Sequence, residues 1–275
     1  MKKVVFLISF LSKHLLRGIS VYKHYFAVHF ALFVKRKDIV VELYDGAKYY
    51  IRSGYFDITT LDQIYIEHVY DPSGYELKPD DVVFDIGAYI GDYSVYAARK
   101  ATAGMVYAFE PVVETFALLE KNCTLNRLDN LRRFNIGLSD SDRTVEFRTG
   151  SDISQPGASA YDLEKMGYST DEYKKTKVSL RDINSFIKEQ NIKKINVLKI
   201  DCEGEEFALM YHLDKDILLG CRMCMIEYHN IHHDPTYTGS HLAAYLKKNG
   251  FSVDIEAYNL AQNTGMIYAK NKLFI

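Results

Sequence analysis

The sequence has no apolar run long enough to cross a membrane, no complete G-x-G-x-x-G, and no tract of repeats or low complexity. Two apolar stretches near the start, one from Val4 to Ile19 and one over residues 25–34, both fall short of a spanning helix. Without the full glycine spacing, a dinucleotide-binding turn is weakly supported. Charge of one sign is also missing: 34 Lys+Arg stand against 36 Asp+Glu, so nothing favours wholesale nucleic-acid binding. The body lacks the persistent basic and aromatic track that single strands require. Cysteine is scarce, with Cys123, Cys202, Cys221 and Cys224. Only Cys221-Arg-Met-Cys224 has close metal or redox spacing, and it lies in a run that reads as a buried strand. Free, mostly buried thiols and a reducing compartment are expected. Tryptophan is absent while Tyr reaches 22 and Phe 15, a skew that by itself names no ligand.

What is present divides the chain in three. Residues 1–37 carry Lys2, Lys3, Lys13, Arg17, Lys23, Lys35, Arg36 and Lys37 with no acid, and Val4, Leu7, Ile8, Leu11, Leu15 and Ile19 recur at helical intervals. This predicts a basic amphipathic helix that packs on the body or a partner, or touches a membrane surface peripherally. The M-K-K start and the apolar residues behind it resemble a signal peptide. No small-x-small cleavage site follows, so a cytoplasmic location is expected, with contact at the inner membrane face as the variant. Residues 38–78 read as an attachment or lid. A β-hairpin spans residues 39–52 with Asp45-Gly46 at its turn, and a helix capped by Asp57 runs through residues 59–70. Pro72, Gly74 and Pro79 mark the joint to the main domain, residues 79–275.

That domain is organised around Asp81-Val-Val-Phe-Asp85-Ile-Gly87-Ala88-Tyr89-Ile-Gly91. A short apolar strand ends in an acid and enters a glycine turn that opens a helix. Small residues there let backbone approach a ligand closely, and the first helical turn offers unpaired N–H groups. One strand later, Met105–Phe109 leads into Glu110-Pro111. Glu110 stands about 25 residues beyond Asp85, where an α/β nucleotide site sets a carboxylate against ribose hydroxyls. Its structural alternative is an ordinary acid at a helix start, with Pro111 in the first turn.

Further strands are expected at residues 131–136, 145–148, 178–180, 195–200 and 222–228, with closing strands at 251–257 and 266–270. A polar loop over residues 149–161 reads as a site cover or an insertion. Asp85, Glu110, Asp201 and Glu227 then all fall at carboxyl ends of separate strands, the edge where parallel sheets bind ligands. Asp201, Glu227 and His229 would hold a divalent metal only if their side chains converge, which the spacing does not define. No metal is expected on that spacing.

Asp85-Ile-Gly-Ala-Tyr-Ile-Gly91, Phe109-Glu110-Pro111, Gly137-Leu-Ser-Asp140, Leu198-Lys-Ile-Asp201-Cys-Glu203-Gly-Glu205 and Ile226-Glu227-Tyr-His229 together resemble the FkbM-type family of S-adenosylmethionine-dependent methyltransferases. The resemblance implies an α/β, Rossmann-like methyltransferase fold. Its central sheet is mainly parallel with an antiparallel closing strand, and a small helix and β-hairpin attachment precede it. It also implies S-adenosyl-L-methionine as cofactor and a hydroxyl of a sugar, glycolipid or secondary metabolite as acceptor. The runners-up are a nitrogen acceptor or a non-catalytic scaffold. On this reading Asp85, Gly87, Ala88, Tyr89, Gly91, Glu110, Pro111, Asp140 and Asp201 contact the cofactor. Asp201, Glu203, Glu227 and His229 serve the reaction, His229 as a base if it is neutral. Relatives commonly carry Asn where this chain has Tyr89, which alters the wall of the turn rather than the cofactor class.

Overall fold

In the computed structural model, residues 15–30, 39–53, 55–149, 174–230, 234–259 and 264–274 are described. Residues 15–21 are helical and lead through Tyr22 into α1 (Tyr25–Phe30). Tyr22 is buried and bridges Leu43, and Arg17 Nη1 donates to Ile66 O at 3.2 Å, so this segment docks on the attachment. Ile19 faces solvent, contrary to the apolar stripe expected for it, and the rest of that stripe before Leu15 lies outside the described residues.

The hairpin forms from β1 (Ile39–Glu42) and β2 (Lys48–Ile51), paired Ile39↔Ile51 through Glu42↔Lys48. Its turn is longer than a two-residue Asp-Gly turn. Gly46 N donates to Leu43 O at 3.0 Å, and Gly46, at φ +90°, takes the left-handed position after the turn, where a side chain is strained. α2 (Asp57–Tyr65) is shorter than expected, and Asp57 does not cap it. The Asp57 carboxylate instead accepts from the Arg52 backbone N (2.7 Å), Nε (3.1 Å) and Nη2 (2.7 Å).

The main sheet is built from β3 (Val82–Ile86), β4 (Met105–Phe109), β5 (Leu131–Phe134), β9 (Val197–Ile200), β10 (Met223–His229), β11 (Phe251–Asn259) and β12 (Thr264–Asn271) in the order β11-β12-β10-β9-β3-β4-β5. Only β12 runs against the direction of the other six strands, so the mainly parallel sheet with a reversed closing strand stands as expected. Alternation assigns Phe84, Ile86, Phe109, Leu198 and Ile200 to one core, and Val83, Val106, Ala108 and Val197 to the other. Both faces are buried, which is why these strands read as continuous apolar runs. The flanking helices are α3 (Asp92–Lys100), α4 (Val113–Asn126), α5 (Ile183–Glu189), α6 (Glu206–His212), α7 (Lys215–Gly220) and α8 (Gly239–Lys248). The attachment is pinned to α4: Asn126 Oδ1 accepts from Lys48 N at 2.9 Å and Asn122 Oδ1 from Tyr50 N at 2.6 Å, two asparagines one turn apart meeting alternate strand residues.

A second sheet, β6 (Gly137–Ser139), β7 (Arg143–Thr149) and β8 (Lys174–Asp182) in the order β6-β8-β7, stands beside the first. The sequence pattern marks residues 145–148 and 178–180 as extended, but neither Gly137–Ser139 as a strand nor the separation of all three from the main sheet. The polar loop expected over residues 149–161 lies, after Thr149, outside the described residues. Among the described residues, no helix is long and apolar enough to cross a membrane, and all four cysteines are free.

Candidate active site

The chain leaves β3 for β4 and β5 on one side, then returns to β9 on the other, so strand order reverses between β3 and β9. A crevice opens at such a switch point beyond the carboxyl ends of the strands. Here it is a cavity of about 330 Å³, within the range of small-molecule sites. The glycine turn forms its floor. Gly87 N and Ala88 N both donate to Phe109 O, at 3.0 and 2.9 Å, tying the turn to the end of β4. Gly87 has φ +81°, and a Cβ there would lie 1.6 Å from Asp201 O, so the two strand ends touch backbone to backbone. Gly91, at φ +83°, closes the turn by donating to Ala88 O at 2.7 Å.

Asp85 does not line the cavity. It is fully buried and orders the turn from below, accepting from Ser94 Oγ at 2.5 Å and pairing with Lys199 Nζ at 3.1 Å, while Lys199 Nζ also donates to Gly87 O at 2.7 Å. Burial alone would lower the Lys199 pKa. Asp85 first, then Asp201 and Asp92, reverse that and hold it well above the usual lysine value. Lys199 is therefore the buried cation on which the turn rests, and the sequence reading passed over it inside an apolar strand. Its signal was there: a lone lysine at a position where the ladder buries both neighbours.

Glu110 and Pro111 line the cavity from the end of β4. Glu110 Oε2 accepts from Tyr89 N at 3.0 Å and Oε1 from Val112 N at 2.9 Å. Burial outweighs these two donors and pushes its pKa up to about 8. Tyr89 holds φ +49°, sparsely populated for a residue with a side chain. Its hydroxyl donates to Asp57 Oδ1 at 2.6 Å and accepts from Arg52 Nη2 at 2.7 Å, so Tyr89 fastens the attachment to the glycine turn. Arg52, Tyr55, Thr59 and Thr60 of the attachment complete that wall.

The opposite wall carries Asp201, Glu203 and Glu227. The Tyr70 hydroxyl lies between the first and the last, 3.2 Å from Asp201 Oδ2 and 3.3 Å from Glu227 Oε2. Burial, with Asp201 nearby, raises Glu227 to about 8; burial raises Glu203 to about 7 against the pull of His229. His229 is buried behind them, with Nδ1 3.3 Å from Glu206 Oε1 and Nε2 3.5 Å from Glu203 Oε2. Burial would lower its pKa, but Glu203 and Glu206 carry it well above 6.5. Those two acids favour the charged ring, whereas a role as base requires the neutral one. Asp140 stands apart from the cavity wall, engaged by Arg143 at 2.5 Å and by Ser139 and Ser141. The same arginine reaches Glu205, which does line the cavity.

A family model for the methyltransferase FkbM domain matches residues 85–253. The chain is 28% identical over 233 residues to the AMB antimetabolite synthetase AmbE of Pseudomonas aeruginosa, covering 74% of this chain and 11% of that protein. It is 27% identical over 216 residues to the 31-O-demethyl-FK506 methyltransferase FkbM of Streptomyces tacrolimicus, covering 70% and 81%. The crystal structure of methyltransferase FkbM from Methylobacillus flagellatus aligns with a TM-score of 0.49 at 13% identity, covering 73% of this chain and 46% of that one. This chain thus spans a small part of the first relative and under half of the last. The family match runs from the acid of the glycine turn to the start of β11, more than half of the sequence, and the chain belongs to the FkbM family of S-adenosylmethionine-dependent methyltransferases.

Proposed function

We propose that this chain transfers a methyl group from S-adenosylmethionine to a hydroxyl of a sugar, glycolipid or secondary metabolite. In this proposal residues 79–275 form the cofactor-binding unit and residues 38–78 its lid. One observation carries the reading: a single cavity has Gly87 and Glu110 on one wall and Asp201, Glu203 and Glu227 on the other.

The residues fit the cofactor. The turn at Gly87 has no room for a side chain, and Glu110 keeps acceptor capacity toward the cavity after its two backbone bonds. When bound, S-adenosylmethionine supplies an electrophilic methyl whose bond to sulfur breaks as the bond to the acceptor oxygen forms, the electron pair staying on sulfur. Glu110 would take the ribose hydroxyls, and Gly87 would let the turn lie against the amino-acid part. Asp201 or Glu227 would accept the hydroxyl proton, while Tyr70 and the attachment exclude water and hold the acceptor in line. The relative that methylates an oxygen of demethyl-FK506, by its name, supports oxygen as acceptor.

Calorimetric titration with S-adenosylmethionine, S-adenosylhomocysteine and NAD tests this reading. The first two are expected to bind, and Glu110→Ala to weaken them by about 10- to 100-fold, the loss of two hydrogen bonds. Acceptor candidates are then screened for the mass gain of one methyl. Binding of NAD alone, or of nothing, rejects the assignment, and methylated nitrogen would move the acceptor class.

Affinity should also depend on pH. Two donating hydroxyls favour ionised Glu110, so below its free value of about 8 binding must expel a proton. The association constant then rises with pH by up to about tenfold per unit and levels off above 8. In Glu110→Gln this dependence is lost; an unchanged slope in that variant counts against the ribose role.

Residues 1–37 are assigned to peripheral contact with a membrane that presents the acceptor, at the cytoplasmic face. The segment is basic, and Leu16, Ile19, Phe26 and Phe30 are exposed on its described part. Sedimentation with anionic vesicles is expected to carry the protein down, and Phe26→Asp with Phe30→Asp to leave it in solution. Failure of the unaltered protein to sediment removes this assignment.

A further inference from the structure

Asp201 and Glu227 occupy corresponding positions on adjacent strands. Ile200 pairs with Ile226 in the parallel β9–β10 ladder, and each acid is the next residue. His229 follows Glu227 by two residues on the same strand, so the two side chains leave the same face. The register of the two strands brings the three together, Asp201 as the first residue beyond β9: one ligand atom from each lies within 4.8 Å of the other two. Asp201 and Glu227 face the cavity, with His229 buried behind them.

The surroundings suit an ion. Glu206 is fully buried, and its Oε1 accepts the His229 backbone N–H at 2.6 Å and lies 3.3 Å from Nδ1. A carboxylate on one ring nitrogen fixes the tautomer and presents the other nitrogen outward, the usual support of a metal-ligating histidine. Nε2 is the nitrogen so presented, and Glu203 Oε2 stands 3.5 Å from it as a further oxygen at the same point. Asp201, Glu203, Glu206 and Glu227 outnumber the cations near them. Lys199 is committed to Asp85 and to Gly87 O, and its Nζ stays 4.0 Å from Asp201 Oδ2.

We propose that Asp201, Glu227 and His229 bind a divalent cation, magnesium or manganese, whose open positions face the cavity and take two oxygens of the acceptor. Two hard carboxylates with one imidazole favour these ions over the softer metals that thiolates select. Three ligands on one wall leave the opposite side of the coordination sphere free. An acceptor with adjacent hydroxyls, or a hydroxyl beside a carboxylate, fills that side with two atoms and is held with one oxygen toward the cofactor turn. This use of the ion rests on the methyl-transfer reading, whereas its binding does not.

The test is titration of the full chain with manganese, followed by the loss of the free-ion electron paramagnetic resonance signal, with magnesium as competitor and no cofactor present. One bound ion per chain is expected. Asp201→Asn and Glu227→Gln should each weaken it at least tenfold, and Glu189→Gln, far from the cavity on α5, should leave it unchanged. A melting curve on each variant confirms folding, and if Asp201→Asn does not fold, Glu227→Gln decides. An absence of bound manganese at millimolar concentration, or binding that the two variants do not weaken, overturns the site. Titration with S-adenosylhomocysteine in excess chelator separates the two readings: the cofactor is expected to bind there whatever the outcome with manganese, and its failure to bind rejects the methyltransferase reading alone.

Discussion

Lys199→Met is expected to destabilise the folded protein by about 3–5 kcal/mol, the loss typical when one member of a buried ion pair is removed. Asp85 is fully buried, and Lys199 has 3% of its side chain exposed. Without the ammonium, the Asp85 carboxylate keeps only Ser94 Oγ and must either ionise unpaired in the core or take up a proton. The Gly87 carbonyl loses its 2.7 Å donor in the same step, so the turn loosens and cofactor affinity falls with stability. Urea denaturation of Lys199→Met, Asp85→Asn and the double variant measures this. The double variant should lose clearly less than the sum of the singles, because it leaves no unpaired charge. Strict additivity would mean that the two groups act independently, and the account of the turn would fail.

Gly87→Ala is expected to lower affinity for S-adenosylmethionine by roughly 100-fold or more, equivalent to about 3 kcal/mol. The added carbon cannot be accommodated by a rotamer change, since what it meets at 1.6 Å is the backbone oxygen of Asp201. Either the turn or the end of β9 must shift, and both border the cavity. The φ of +81° adds the ordinary strain of a side chain in the left-handed region. Gly46→Ala isolates that second effect: Gly46 has φ +90° with nothing within 4 Å of the added carbon, and about 1 kcal/mol of stability with unchanged affinity is expected. Equal behaviour of the two variants would show that close approach at the switch point is not what Gly87 provides.

The main sheet and the position of the cavity were legible because both faces of its strands are apolar and its turns carry acids and glycines at the same end. Asp85, Glu110, Asp201 and Glu227 could be read as one edge for that reason, although Asp85 lies beneath the cavity rather than on its wall. What escaped had a different physical origin. Lys199 looks like a solvent residue to any pattern argument, and only the buried Asp85 opposite it makes a charged side chain tenable there. Asp57 has the sequence position of a helix cap, yet a bidentate arginine and the Tyr89 hydroxyl compete for its oxygens more strongly than backbone N–H groups do. Tyr70 was read as the end of a helix, and its partners follow it in the chain by 131 and 157 residues, a separation that local periodicity does not report. Asp140 is expected among the cofactor contacts, whereas Arg143, three residues on, claims its carboxylate.

Strand order also dictates when during synthesis this fold can close. β3 lies in the middle of the finished sheet, but its partner β9 is made only after residues 87–196 have been synthesised. Until then β3 is an edge with unpaired N–H and C=O groups, and Asp85 has no counter-ion to enter a core with. The nascent half can pair β3 with β4 and β5, yet it cannot bury the acid at their head. Completion therefore waits on one short segment, and chains released before Ile200 are expected to be substrates for chaperones or proteases rather than small stable domains.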